Sequence, residues 1–141
     1  MGRIQLTTNL YLDEYIDKKT YKQYESKPWI LQGLLDVRLV KSDQLLRDHF
    51  GSVTINNWWD GGERNWSGLR TPVSPEYSPE SQHTFGRGSD KIFKNATAEE
   101  VREYIKKFYV GYGITAIEDG VSWVHDDCRW TNSKDLLIFK K

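Results

Sequence analysis

The chain has 141 residues, about one domain's worth, enough to bury a core and too few for a second catalytic unit. Twenty Lys and Arg balance twenty Asp and Glu, which removes the positive field that non-specific binding to nucleic acid or an anionic membrane relies on. Hydrophobic residues make up 38% and aromatics 13%, too much for a disordered chain, yet the longest apolar runs, such as Trp29 to Leu31, fall far short of the roughly 20 residues that span a bilayer.

The opening, MGRIQLTTNLYLDEYIDKK, lacks a continuous apolar signal-peptide core, so the expectation is a protein that accumulates in the cytoplasm. A polar, Tyr-rich start holds a short helix near Leu12 to Tyr24. Pro28 to Phe50 carries Ile30, Leu31, Leu34, Leu35, Leu45 and Leu46 at roughly helical spacing, with Gly33 interrupting it, and predicts one long or two short helices. Val53 to Trp59 is β-branched and aromatic and reads as a strand closed by Asp60-Gly61-Gly62. From Glu63 to Ser89 no apolar period is sustained, which predicts a long loop of the kind that carries function. Thr97 to Glu100 matches a capping box, and Ala98, Val101, Ile105 and Phe108 then recur with helical period up to Gly111. Short strands are predicted over residues 114–117, 122–130 and 136–139. The whole describes a single α+β domain, residues 1–141, with an antiparallel sheet flanked by helices.

Cys128 is the only cysteine, so any metal must be held by His and carboxylates. His49, near a helix C-terminus, reads as a dipole-facing or surface residue. His83 precedes Asp90 by seven residues, which a straight segment stretches over roughly 10 Å as helix or 23 Å as strand, so that it could bind one ion only with difficulty. A looped segment can bring them together, and Gly86 and Gly88 permit one, although a polar loop with a solvated His and Asp fits the same residues. On the strand over 122–130, the two-residue period sets Trp123, His125, Asp127 and Arg129 on one face. That face offers a metal ligand, a carboxylate to orient it or move protons, and a cation for anionic groups, although a cross-strand ion pair beside an exposed His uses the same residues. Upstream, Ser67-Gly68-Leu69-Arg70 delivers an Arg able to stabilise developing negative charge.

In this order, Ser67-Gly-Leu-Arg70, then Ser81-Gln-His83 through Gly86 to Asp90, then Val124-His125-Asp-Asp127 resemble the hedgehog/DD-peptidase superfamily, especially its small zinc D-alanyl-D-alanine carboxypeptidase-like and endolysin-like members. Gly88 stands where the family usually has Ala, and Leu69 where an aromatic is common. The resemblance implies a hedgehog/DD-peptidase-like fold and a Zn2+ ion held by His83, Asp90 and His125. It also implies amide hydrolysis in the peptide part of bacterial peptidoglycan, by a protein of phage or prophage origin acting at the wall after lysis or in a virion. Arg70 would hold an oxyanion or a substrate carboxylate, and Ser81 would support the loop. The proton acceptor is first Asp127, with Glu118 or Asp119 as alternatives. Trp58, Trp59 and Trp66 offer a platform for sugar or peptide. A zinc- or wall-binding module of a phage particle, without catalysis, is the competing expectation; a nucleic-acid or membrane partner is not expected.

Overall fold

In the computed structural model, which describes residues 2–141, the helices begin where polar caps permit. Asp17 accepts a hydrogen bond from Thr20 N and starts α1 (Lys18–Gln23), preceded by a 3-10 turn at Leu12–Glu14. Pro28, at a first helical position where its missing N–H leaves nothing unsatisfied, starts α2 (Pro28–Gln32). Asp36 accepts from Arg38 N and starts α3 (Val37–Phe50), so the apolar stretch from Pro28 is two helices broken near Gly33.

β1 (Val53–Thr54) is far shorter than its sequence suggests. Asn56 Oδ1 accepts from Ser67 N and Asn57 Oδ1 from Arg64 N, both at 2.8 Å, and these bonds turn the backbone into a 3-10 turn at Trp58–Asp60. The long segment that follows does lack regular structure until a 3-10 turn at Gln82–Phe85, but its end is a strand, β2 (Gly88–Phe93). Thr97 caps α4 (Ala98–Tyr112) by accepting from Glu100 N; the helix passes Gly111 and stops at Gly113, whose φ of 71° suits a residue without Cβ. β3 (Ala116–Glu118), β4 (Val124–Asp127) and β5 (Leu137–Phe139) complete the chain.

The sheet has the order β1-β2-β4-β3-β5 and is mixed, which corrects the expected antiparallel arrangement. β2 and β3 both run antiparallel to β4, so both sides of β4 are taken. The chain leaving β4 must therefore pass the end of β3 before reversing, and β5 enters on the outer side of β3, parallel to it. Two apolar clusters hold these layers. One joins the N-terminal segment to α2 and α3 through Leu12, Tyr15, Leu31 and Leu39; the other joins α4 to the sheet through Phe93, Val101, Ile105, Ile117 and Val124. Phe108, expected on the core stripe of α4, is half-exposed against Tyr104.

The sheet face towards α3 carries a charge cluster. Lys91 Nζ, fully buried, lies 2.8 Å from Asp43 Oδ1 of α3 and 2.6 Å from Asp126 Oδ2 of β4. Tyr15 and Ser89 hydroxyls donate to Asp43 at 2.8 and 2.9 Å. Burial opposes the Lys91 charge, yet the two carboxylates raise its pKa; burial likewise pushes Asp126 up to about 6. Because alternate residues face opposite ways, this cluster sits directly behind Asp90 and His125.

Candidate metal centre

Asp90 and His125 are direct partners across the β2–β4 ladder, on the face opposite Lys91. His83 reaches them from the 3-10 turn at Gln82–Phe85. Ser81 caps that turn by accepting from His83 N, and Gly86 closes it at φ 66°, where a Cβ would collide with the carbonyl of Leu34. The Ser67-Gly68-Leu69-Arg70 segment ties the turn to the strand. Asp90 N donates to Ser67 O at 2.7 Å, Arg70 N donates to His83 O at 3.1 Å, and Gly68 O receives His83 Nδ1 at 2.8 Å. Gly68 is required because a side chain there would strike Tyr15.

Three donor atoms converge. His83 Nε2 and His125 Nδ1 are 3.2 Å apart, and Asp90 Oδ1 lies 3.2 Å from the first and 3.0 Å from the second. The outer atoms of each group are already bonded. His83 Nδ1 bonds the Gly68 carbonyl, His125 Nε2 bonds Asp127 Oδ2 at 2.8 Å, and Asp90 Oδ2 accepts from Arg70 Nη2 at 2.9 Å. A carbonyl or carboxylate beside one ring nitrogen selects the tautomer with its proton there, so both inner nitrogens present lone pairs towards a carboxylate oxygen. Such a convergence of acceptors calls for a cation. Tetrahedral ligands about 2.0–2.1 Å from an ion lie about 3.3–3.4 Å apart, close to the spacing here, so the buried His83, Asp90 and His125 group can hold a metal ion.

The electrostatics agree. Burial opposes the Asp90 charge, but the adjoining His125 and His83 imidazoles hold its pKa far below the usual carboxylate range. Burial pushes His83 down, keeping it neutral. Burial also works against a charged His125, but Asp127 and then Asp90 outweigh it and raise the pKa to about 9.

The other expected residues fall around this triad. Asp127 stands behind His125: Oδ2 is taken by His125 and by Arg129 Nη2 at 2.7 Å, while Oδ1 receives Arg129 Nε at 2.8 Å. Burial opposes its charge and these bonds restore it, leaving a lowered pKa. Turned away from the donor atoms, it is placed to orient the imidazole and not to take a proton from a ligand. Glu118 differs. The β3–β4 register, carried one residue beyond Ile117↔Asp126, sets it opposite His125; it is 4% exposed, lines the cleft beside the triad, and makes no hydrogen bond or ion pair among the described residues. Asp119 points elsewhere, towards Arg102 at 3.6 Å. Arg70 is buried, its Nε donating to Trp66 O at 2.8 Å and its Nη2 lying 3.1 Å from Glu76. His49 stacks on Tyr104, away from the site.

A cleft of about 870 Å³ opens over the triad, walled by Trp66, Glu76, Trp123, Arg129 and Phe139 among others. The expected tryptophan platform is reduced to Trp66. Trp58 is anchored by its indole to Ile16 O, and Trp59 lies under the Arg3 guanidinium. Sequence reasoning missed Arg64, Glu76 and Phe139 as wall residues, since none carries a motif. Among the described residues no helix is long and apolar enough to cross a membrane. No protein-family model, curated protein or solved structure matches the chain.

Proposed function

We propose that the chain is a zinc-dependent peptidase acting on peptide stems or cross-links of bacterial peptidoglycan and encoded by a phage or prophage. One observation carries the reading: three lone-pair donors, each locked by a second hydrogen bond, converge beside an open cleft that also holds an unpaired buried carboxylate. The wall substrate and the hedgehog/DD-peptidase-like fold rest on the ordered motifs around Arg70, His83, Asp90 and His125. Two nitrogens and one carboxylate oxygen are one of the donor sets that hold catalytic zinc, and bound zinc would supply Lewis acidity towards a scissile carbonyl and an acidified water.

The protein's own groups do the rest. Glu118, without a partner of its own, accepts the proton of the attacking water and returns it to the leaving amine. Arg70 fixes the second oxygen of Asp90, and its Nη1, bonded to nothing among the described residues, serves the developing oxyanion. Asp127, held by Arg129, fixes the His125 tautomer.

The test pairs elemental analysis of dialysed protein with mass spectrometry of peptides released from wall material. Wild type should carry about one zinc per chain and release peptides. His83→Ala should lose the zinc, and Glu118→Gln should keep it and release nothing. Zinc retained by a wild type that releases no peptide would replace hydrolysis with the wall-binding module of a phage particle.

A further inference from the structure

Three arginines line the cleft, and two of them are neutralised. Arg70 pairs with Asp90 and Glu76, and Arg129 with Asp127. Arg64 has no carboxylate oxygen within 4.0 Å among the described residues. Its contacts are backbone carbonyls instead: Nε donates to Ile55 O at 2.8 Å, and Nη2 reaches Asp90 O at 3.4 Å. These hold the guanidinium in place without cancelling its charge. The main chain is pinned too, with Arg64 N donating to Asn57 Oδ1 and Arg64 O accepting from the amides of Asn57 and Trp58. Nη1 makes no bond among the described residues, so the edge formed by the two terminal nitrogens is left for a ligand.

A pinned, half-buried guanidinium without a contact ion pair in a cleft wall is matched by a planar anion that two parallel N–H groups can grip. The nearest carboxylates, Asp90 and Glu76, already belong to Arg70. We propose that Arg64 binds a free carboxylate of the ligand, so that the cleft selects peptides carrying one on the Trp66 side of the triad. This rests on the peptidase reading for the ligand being a peptide. The carboxylate comes either from a chain terminus or from an acidic side chain.

The experiment titrates zinc-supplemented protein by calorimetry with three probes: an acetylated tripeptide ending in D-alanyl-D-alanine, its C-terminal amide, and that amide with a glutamate in place of its first residue. Each probe is also assayed for hydrolysis. Wild type should bind one or both carboxylate probes more tightly than the neutral amide, and the probe preferred identifies the source. In Arg64→Gln the ratio of carboxylate to neutral affinity should fall on the order of 10- to 100-fold, and Arg64→Lys should restore part of it, supplying the charge without the fork. Melting temperature and zinc content report on folding in both variants. An unchanged ratio in Arg64→Gln, or no carboxylate preference in wild type, overturns the proposal. Selective binding without hydrolysis would count against the peptidase and leave the role of Arg64 standing.

Discussion

Replacing Asp127 with Asn separates two roles that a carboxylate beside a metal centre can play. Each Asp127 oxygen accepts from Arg129, and Oδ2 also accepts from His125 Nε2 at 2.8 Å. An amide cannot satisfy this set, because either orientation turns its NH2 against an Arg129 donor. With the NH2 on the His125 side, it also forces the lone pair of the imidazole onto Nε2 and the proton onto Nδ1, where the metal should sit. Loss of such an orienting partner costs about 10- to 100-fold in metal affinity, or about 1.4–2.7 kcal/mol. The assay is competition for zinc against a chromophoric chelator at fixed pH. Glu118→Gln, run alongside, should bind zinc as wild type does, since Glu118 makes no bond to any ligand. Wild-type zinc affinity in Asp127→Asn, with hydrolysis abolished, would refute the orienting role and restore Asp127 as the proton acceptor.

Burial raises the pKa of Glu14 to about 7 from 4.5, so the folded state takes up a proton that the unfolded chain releases. Its contribution to stability is full below about pH 4.5 and is lost as pH rises through about 7. Glu14→Gln should therefore gain on wild type by up to about 3 kcal/mol above pH 7, read from melting curves between pH 4 and 8; parallel curves would remove Glu14 as the cause. Lys91→Met leaves Asp43 and Asp126 buried without a countercharge and should cost about 3–5 kcal/mol in urea denaturation, whereas a loss under about 1 kcal/mol would show the cluster to be dispensable. Gly111 lies inside α4 with open space where a Cβ would stand, so Gly111→Ala should stabilise by about 0.5–1 kcal/mol; destabilisation would mean that face is covered in solution.

Short-range pattern makes part of the candidate site legible, while the grouping of His83, Asp90 and His125 rests on the ordered resemblance and is met in the fold across β2 and β4. A two-residue period put His125 and Asp127 on one strand face, and they do meet there, joined through Nε2. Gly86 permits the looped segment after His83 that the structure shows, whereas the close pass of Gly68 under Tyr15 is visible only in the fold. Relations set across the sheet were not legible. Nothing in a period of two says that β5 runs parallel to β3, or that Glu118 falls opposite His125. Lys91 and Asp126 gave no hint of partnership, because their common neighbour, Asp43, comes from a helix far earlier in the chain. The pair of tryptophans at 58 and 59 resembled a strand, and two asparagine side chains, whose hydrogen bonds no propensity captures, made it a turn.

Each member of the triad is held by a bond that does not involve an ion: His83 by a carbonyl, His125 by Asp127 and Asp90 by Arg70, with a salt-bridged interior behind the strands. The seat is thus assembled by folding and not by its occupant. Such a protein is expected to survive chelation with its amide-exchange protection largely intact and to rebind an ion when one is returned, without refolding. Formation of the seat and entry of an ion become separate events, so the fold does not depend on when an ion arrives.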